Sequence, residues 1–399
     1  MIIEQNIREI ERSSSFEETS FKIEGRAAVM KLSVSCQQII MKSTILLCLA
    51  MLGQAAVASE STEVISPEKM QQIYEEVKTP FDYGIVLKPS PGKTIDCGTV
   101  FRHGDAWYMI YVQQEPAPTA GYTTQLASSR NLLDWTPLGT LVDRGDSGTW
   151  DQAHVGGGAS FTEAIWGGSN TLRQHDGKYW LSFFGGANYG FETAPLHISV
   201  ASTTEPVALG AWKKLGRPVL ATTDADAGRD ENHRMFKSNI IHDPEAHLGA
   251  PFVMFYNAQG RTDERIFAAT SQDMVAWKRY GKPDDANCIL ENPNPTVKRN
   301  VISGDPQVVR MDDCWVMFYF GAFWCPQSKV LNTFAVSRDL IHWTKWTGTP
   351  LTAPVERKFG AHKAWLIKHD GVVYHFYASD AGGVRNIALM TSKNLREAP

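Results

Sequence analysis

Two carboxylates, Asp96 and Asp305, stand far apart in the chain, each at the head of a short apolar run. At corresponding places in other segments stand Ser169-Asn170, Lys237-Ser238-Asn239 and His362-Lys363. If these segments converge, two carboxylates, two cationic or titratable groups and several amides face one another across a pocket. Such a set suits acid–base chemistry on a polar ligand, because like charges are seldom brought together without use. Taken singly, each residue has an ordinary structural role. Asp305-Pro306 is a turn dipeptide, and Asp96 can accept backbone hydrogen bonds at a strand start.

Convergence follows from a repeat. Around Asp305 the chain reads as a short strand, a polar turn at Met311-Asp312-Asp313, and an aromatic strand Trp315-Val316-Met317-Phe318-Tyr319-Phe320. A third strand then ends in Ser337-Arg338-Asp339, and a short fourth follows His342-Trp343. Equivalent second strands carry Tyr111, Phe183, Phe255, Phe318 and Phe376, at intervals of 72, 72, 63 and 58 residues. Self-similarity in fixed order is the signature of a repeat architecture. Four units carry a tryptophan after the third strand (Trp135, Trp212, Trp277, Trp343) and then a glycine; the fifth stops at Pro399 without a fourth strand. The missing strand is supplied by Gly84-Ile85-Val86-Leu87 near the start. The sequence therefore predicts an all-β, five-bladed β-propeller over 81–399, its last blade closed by the strand at 84–87, so that no sheet edge is left open. In such a ring the first strand of each blade lines a central channel and its starting residues meet at one mouth.

Length and composition fit one large exported domain. A formal net charge of -4 carries no nucleic-acid footprint, and no apolar run reaches the roughly 18 residues of a membrane span. Met41-Lys42-Ser43-Thr44, the apolar stretch 45–52 and Ala56-Val57-Ala58 predict a signal peptide over 41–58 cleaved after Ala58, hence a periplasmic or secreted protein. Residues 1–40 read as an upstream extension outside the fold. Within the lead-in 59–80, Ser66-Pro67-Glu68 predicts a helix start and Thr79-Pro80 its end. Cys314 and Cys325, flanking an extended strand, would lie about 35 Å apart, too far for a disulfide. No Cys/His spacing suits zinc and no cofactor is expected, with a calcium in the channel left open. The expected state is a monomer.

The repeat, the leading Asp96 and the phrase Ser-x-Asp-Leu/Met-x-x-Trp, at Ser271 to Trp277 and Ser337 to Trp343, resemble the propeller glycosidases: arabinanases and xylosidases of glycoside hydrolase family 43, with the invertase-like family 32 as relatives. The resemblance covers about residues 80–395. It implies a glycoside hydrolase acting on arabinoside- or xyloside-like bonds of a plant- or algal-type polysaccharide. It also implies an aspartate base or nucleophile in blade one, a helper aspartate in blade three and a glutamate acid in blade four. Asp96 matches the first role. The others differ by type, and the assignment carried forward is Glu231 as proton donor with Asp305 as helper, the two exchanged as the fallback. One carboxyl must stay protonated for the leaving oxygen and another ionised to attack or to activate water, and neighbouring like charge raises the pKa of the acid.

Expected substrate contacts are Glu163 and Trp166, in a glycine-rich segment entering blade two, together with Asn170, Arg234, Lys237, His362 and Lys363. Sugar stacking needs exposed aromatics, and Trp150, Trp166 and Trp324 fall in or beside loop-like stretches. Glu192 and Glu264 precede third strands and by residue type suit the solvated rim. Two further classes remain in view. A glycoside phosphorylase would need a phosphate-binding cationic cluster, for which Arg234, Lys237, Arg299 and Lys363 are candidates, and a glycan-binding propeller would need no acid at all.

Overall fold

A computed structural model describes residues 64–260, 264–281, 288–290, 302–321, 330–352, 361–381 and 383–396. The expected signal peptide, its upstream extension, Arg299, Trp324 and Cys325 lie outside these residues. The first element is helix α1 (Pro67–Val77), whose N-cap Ser66 accepts from the Lys69 backbone N–H at 3.2 Å. Its Met70, Ile73 and Val77 are buried against a cluster that includes Val309, Phe318, Phe334 and Leu366.

Everything else is antiparallel sheet. Strand β1 (Phe81–Leu87) precedes β2 (Thr94–His103), β3 (Ala106–Glu115), β4 (Gly121–Ser129) and β5 (Thr136–Val142). Next come β6 (His154–Gly158), β7 (Gln174–His175), β8 (Lys178–Gly186), β9 (His197–Thr203) and β10 (Lys213–Lys214). A third group holds β11 (Arg234–His242), β12 (Phe252–Gln259), β13 (Glu264–Ser271), β14 (Trp277–Arg279) and β15 (Cys288–Leu290). The last two groups are β16 (Ser303–Met311), β17 (Cys314–Gly321), β18 (Leu331–Ser337), β19 (Thr344–Lys345), and β20 (Ala361–His369), β21 (Val372–Ala381), β22 (Val384–Thr391). The first two groups share a nine-stranded sheet, joined only where Tyr122 pairs with His154, and the other three groups form separate sheets. Strand β1 pairs with β22 from Phe81↔Thr391 to Leu87↔Ile387, so the N-terminal strand completes the sheet of the last group and begins three residues earlier than its sequence pattern suggests.

The first strands of the groups pack in cyclic order: β2 on β6, β6 on β11, β11 on β16, β16 on β20, and β20 back on β2. Between them lie the apolar clusters, such as Phe161, Tyr256 and Phe267, that fuse adjacent sheets. The Ser-x-Asp-Leu/Met-x-x-Trp phrase proves to be a turn. Asp273 Oδ1 accepts from the Val275 and Ala276 N–H groups, and Asp339 Oδ1 does the same for Ile341 and His342. Trp277 and Trp343 then donate their indole N–H to Met274 and Leu340, which takes the connection from the third strand into the fourth.

One expectation fails in the second group. Gly156-Gly157-Gly158 is not a loop but most of β6, paired with Phe184, Phe183 and Ser182. A Cβ on Gly156 would stand 2.3 Å from the Phe184 ring, so the glycines make room for side chains of neighbouring strands. The first strand of this group is therefore β6, and Ser169-Asn170 lies beyond it.

Candidate active site

The first strands carry matching irregularities near their starts. Register shifts fall between Asp96 and Thr99, Met235 and Ser238, Gly304 and Gln307, and His362 and Trp365. Three of the four hold a non-glycine residue at left-handed φ: Cys97 (54°), Asp305 (50°) and Lys363 (58°). A bulge re-aims side chains that a regular strand would alternate across its two faces, and left-handed backbone costs such residues about 1–2 kcal/mol. Here the re-aimed groups meet.

Lys363 Nζ lies 3.4 Å from Asp305 Oδ2 and 3.7 Å from Asp96 Oδ2. Asp96 Oδ2 also receives Arg385 Nη1 at 2.6 Å, and its Oδ1 accepts from the Cys97 N–H at 2.9 Å. Asp96 and Asp305 are buried. Burial alone would raise the Asp96 pKa, but the charges of Lys363, Arg385 and His362 and the Cys97 N–H outweigh it and hold the carboxyl below its ordinary value. Burial likewise opposes the Lys363 charge, yet Asp305 and Asp96 keep that ammonium well above the usual lysine range. Lys237 is also buried, and its pKa is lowered by desolvation. Its Nζ finds no hydrogen-bond partner among the described residues and lies 5.2 Å from the Trp365 ring centroid.

Above this cluster opens a cavity of about 140 Å³ lined by Glu192, Phe236, Asn257, Glu264, Ile302, Asp305, Phe320, His362, Lys363 and Arg385. Glu264 is the chemically distinctive member. Burial first, then the negative charges of Glu192 and Asp305, push its carboxyl up to about 7, against the lowering effects of Lys363 and of Asn257, whose Nδ2 donates to Oε2 at 3.2 Å. Glu192 accepts from the Tyr122 hydroxyl at 3.2 Å. A larger cavity, about 520 Å³, lies against α1, but its charges are already paired, Glu76 with Lys368 and Lys69 with Asp312. Among the described residues no group of three or more His, Cys, Asp or Glu side chains is placed to hold a metal ion.

The structure brings together Asp96, Asp305, His362 and Lys363. It does not bring in Glu231, which is fully buried elsewhere. Its Oε1 accepts from Tyr256 Oη at 2.5 Å and Arg279 Nε at 3.0 Å, and its Oε2 from the Gly228 N–H at 3.1 Å. That carboxylate neutralises a buried arginine, which Asp224 and Asp226 also contact, and it does not line the cavity. Arg234 and Lys237 stand at the same end of the strands without lining the cavity. Arg234 donates to Gln259 Oε1 at 3.1 Å.

Glu163, Trp166 and Asn170 lie at the opposite ends of the first strands. Phe161 pairs with Ile240, Ile165 with Arg310 and Thr171 with Arg102, so this segment crosses the strands where they finish. Glu163 Oε2 accepts from the Ser169 N–H, Trp166 donates to Glu76 Oε1 at 2.8 Å, and Asn170 donates to the Gly168 and Lys368 carbonyls.

Glu192, Glu264, Arg385 and Asn257 are the functional candidates that sequence reasoning passed over. The signal was in the strand alternation. A first strand leaves the mouth and a second returns to it, so the turn into the third strand lies at the same mouth. Glu264 and Arg385 open third strands, and Glu192 stands in the connection leading to one.

Among solved structures, two share 41% identity with this chain at a TM-score of 0.77, covering 83% of it and 96% of their own length. One is described as a glycoside hydrolase and the other as a complex of BT0996 and RGII. With this identity over nearly their whole length, the chain belongs to the glycoside hydrolases; it is a glycosidase of the family 43-like type. A thermostable family-43 glycoside hydrolase, at 17% identity, a TM-score of 0.50 and coverage of 78% and 97%, shares the fold. No protein-family model and no curated protein matches the chain. Among the described residues no helix is long and apolar enough to cross a membrane.

Proposed function

We propose that this glycosidase hydrolyses a plant polysaccharide of the RGII type, with Glu264 as the proton donor and Glu192 as the second carboxylate. The observation that carries the reading is a carboxyl held protonated up to about pH 7 in the same cavity as another glutamate. Protonated Glu264 gives its proton to the leaving oxygen as the glycosidic bond breaks. Glu192, in its ionised form, attacks the anomeric carbon or takes a proton from the attacking water. Carboxyls about 5–5.5 Å apart give retention of configuration and about 6.5–9.5 Å inversion.

Asp96 then works through its neighbours, since its ionised carboxylate fixes Arg385 and Lys363. Asp305 supplies negative charge that helps keep Glu264 protonated. His362, Lys363, Arg385 and Asn257 face the cavity with groups that suit sugar hydroxyls. The cyclic packing of first strands and the β1–β22 pairing support a five-bladed ring around one channel. The apolar segment 45–52 before Ala58 supports export with the leader removed, and the chemistry of the cavity calls for no cofactor.

The test is a chromatographic screen of purified protein against oligosaccharides from RGII, arabinan, xylan, galactan and fructan, with and without phosphate. Product release from RGII oligosaccharides without phosphate, abolished in Glu264→Gln, is the expected result. Phosphate-dependent release points to a phosphorylase, and unchanged turnover in Glu264→Gln removes that residue from the mechanism.

A further inference from the structure

The connection that carries Glu192 also exposes aromatic surface beside the cavity. Tyr189 is 47% and Phe191 52% exposed, and Val384, at the start of β22, is 40% exposed. Phe191 does not line the cavity, but it borders it. The Arg385 guanidinium carbon lies 5.4 Å from the Phe191 ring centroid while Arg385 itself is held on Asp96, and Phe191 stands 6.4 Å from Tyr122, the partner of Glu192. The Arg144 guanidinium carbon lies 5.9 Å from the Tyr189 ring centroid.

The backbone beneath is tied down. His154 Nε2 pairs with the Asn188 carbonyl at 2.8 Å, Asn188 Nδ2 donates to the Ala194 carbonyl at 2.7 Å, and the Gly190 N–H donates to the Ala120 carbonyl at 2.8 Å. An exposed ring on an anchored loop, next to a charged residue of the cavity, has the properties of a sugar-binding platform. It is rigid before the ligand arrives, apolar on its face and polar at its edge.

We propose that Phe191, with Tyr189 beside it, forms the leaving-group subsite. It stacks on the face of the sugar next to the scissile bond, on the far side from the sugar held in the cavity, while Arg385 donates to that sugar's hydroxyls. This inference rests on Glu264 and Glu192 being the catalytic pair. An aromatic face suits the apolar C–H face of a pyranose or furanose ring, and the neighbouring guanidinium suits its equatorial oxygens.

The test compares two substrates in the purified full chain: an RGII-derived oligosaccharide, and the glycosyl fluoride of the terminal sugar released from it. The fluoride has no leaving-group sugar and needs no proton donor to depart. Phe191→Ala is expected to lower kcat/KM for the oligosaccharide about five- to tenfold, mainly through KM, and to leave the fluoride within about twofold. Phe191→Tyr restores the oligosaccharide rate, and Tyr189→Ala gives a smaller loss confined to the oligosaccharide. Equal losses on both substrates, or no loss on either, overturn the subsite. Glu264→Gln separates the two readings: it should lose the oligosaccharide and keep the fluoride. If it keeps both, the catalytic assignment fails, whatever Phe191 does.

Discussion

The Tyr122 hydroxyl stands 3.2 Å from Glu192 Oε1 and joins strand β4 to the loop that carries a proposed catalytic carboxylate. Tyr122 is buried, and burial together with the Glu192 charge raises its pKa well above that of free tyrosine, so it acts as a donor at all working pH values. Its ring packs 5.5 Å from both His154 and Phe184, which fixes where the hydroxyl points. Replacing Tyr122 by Phe is expected to keep the fold and to lower kcat about tenfold, the worth of one hydrogen bond to a charged acceptor. Steady-state kinetics on the RGII oligosaccharide with a parallel thermal melt check this; wild-type kcat would free Glu192 from dependence on Tyr122.

A carboxyl raised to about 7 sets the alkaline side of the pH profile. Turnover should fall as pH rises through about 7, and Glu264→Gln should abolish that limb while reducing kcat roughly 10²–10⁴-fold. The stability consequence has the opposite sign to that of an ordinary ion-paired carboxylate. Between the unfolded value near 4.3 and the folded value near 7, the native state holds more protons than the unfolded one, so this group makes the protein less stable as pH rises across that window. Denaturant titrations from about pH 4 to pH 8 in wild type and Glu264→Gln should differ in slope there.

Asp96 shows the usual direction. Its folded pKa is lowered, so its contribution is fully present above the unfolded value of about 3.9 and is lost as pH falls through the lower folded value. Asp96→Ala leaves Arg385 and Lys363 without a carboxylate they share, and should cost about 3–5 kcal/mol of stability along with most of the turnover. Asp96→Asn, which keeps the shape and loses the charge, should recover folding better than activity. Wild-type stability in Asp96→Ala, measured by urea unfolding, would refute the structural half of this argument.

Glu231 makes the contrasting case. Glu231→Ala removes one of the carboxylates around Arg279 and a partner of Tyr256, and should destabilise the protein by about 3 kcal/mol. The remaining folded fraction should turn over at the wild-type rate, because the carboxyl does not reach the cavity. A loss of kcat per folded molecule, with folding unchanged, would return Glu231 to the catalytic set.

The first strand of the second group depends on shape more than on charge. A Cβ at Gly156 meets the Phe184 ring at 2.3 Å and cannot be relieved without moving β8. Gly156→Ala should lower stability by about 1–3 kcal/mol, read from the urea midpoint, whereas Gly148→Ala, in open space, should cost little beyond its strained φ.

Strand order, the N-terminal strand pairing with the last, the helix after Ser66 and the turn built on Asp273 and Asp339 were legible in the sequence, because alternation, capping and turn chemistry are local and repeat five times. So was the meeting of Asp96, Asp305, His362 and Lys363, since equivalent positions in a repeat converge wherever the repeat curves. The glycine run was misleading: lacking side chains of its own, it gives no sign in the sequence of the Phe184 ring that fills its space.

Tertiary structure alone decided which acid sits where. Glu231 and Glu264 are both glutamates near strands of the same sheet, and nothing local separates them. One is opposed by a buried arginine; the other is crowded by Glu192 and Asp305 in a dry cavity. A carboxyl's proton affinity depends on charges and solvent gathered from distant parts of the chain, so residue type supplies the candidates and the packing chooses among them.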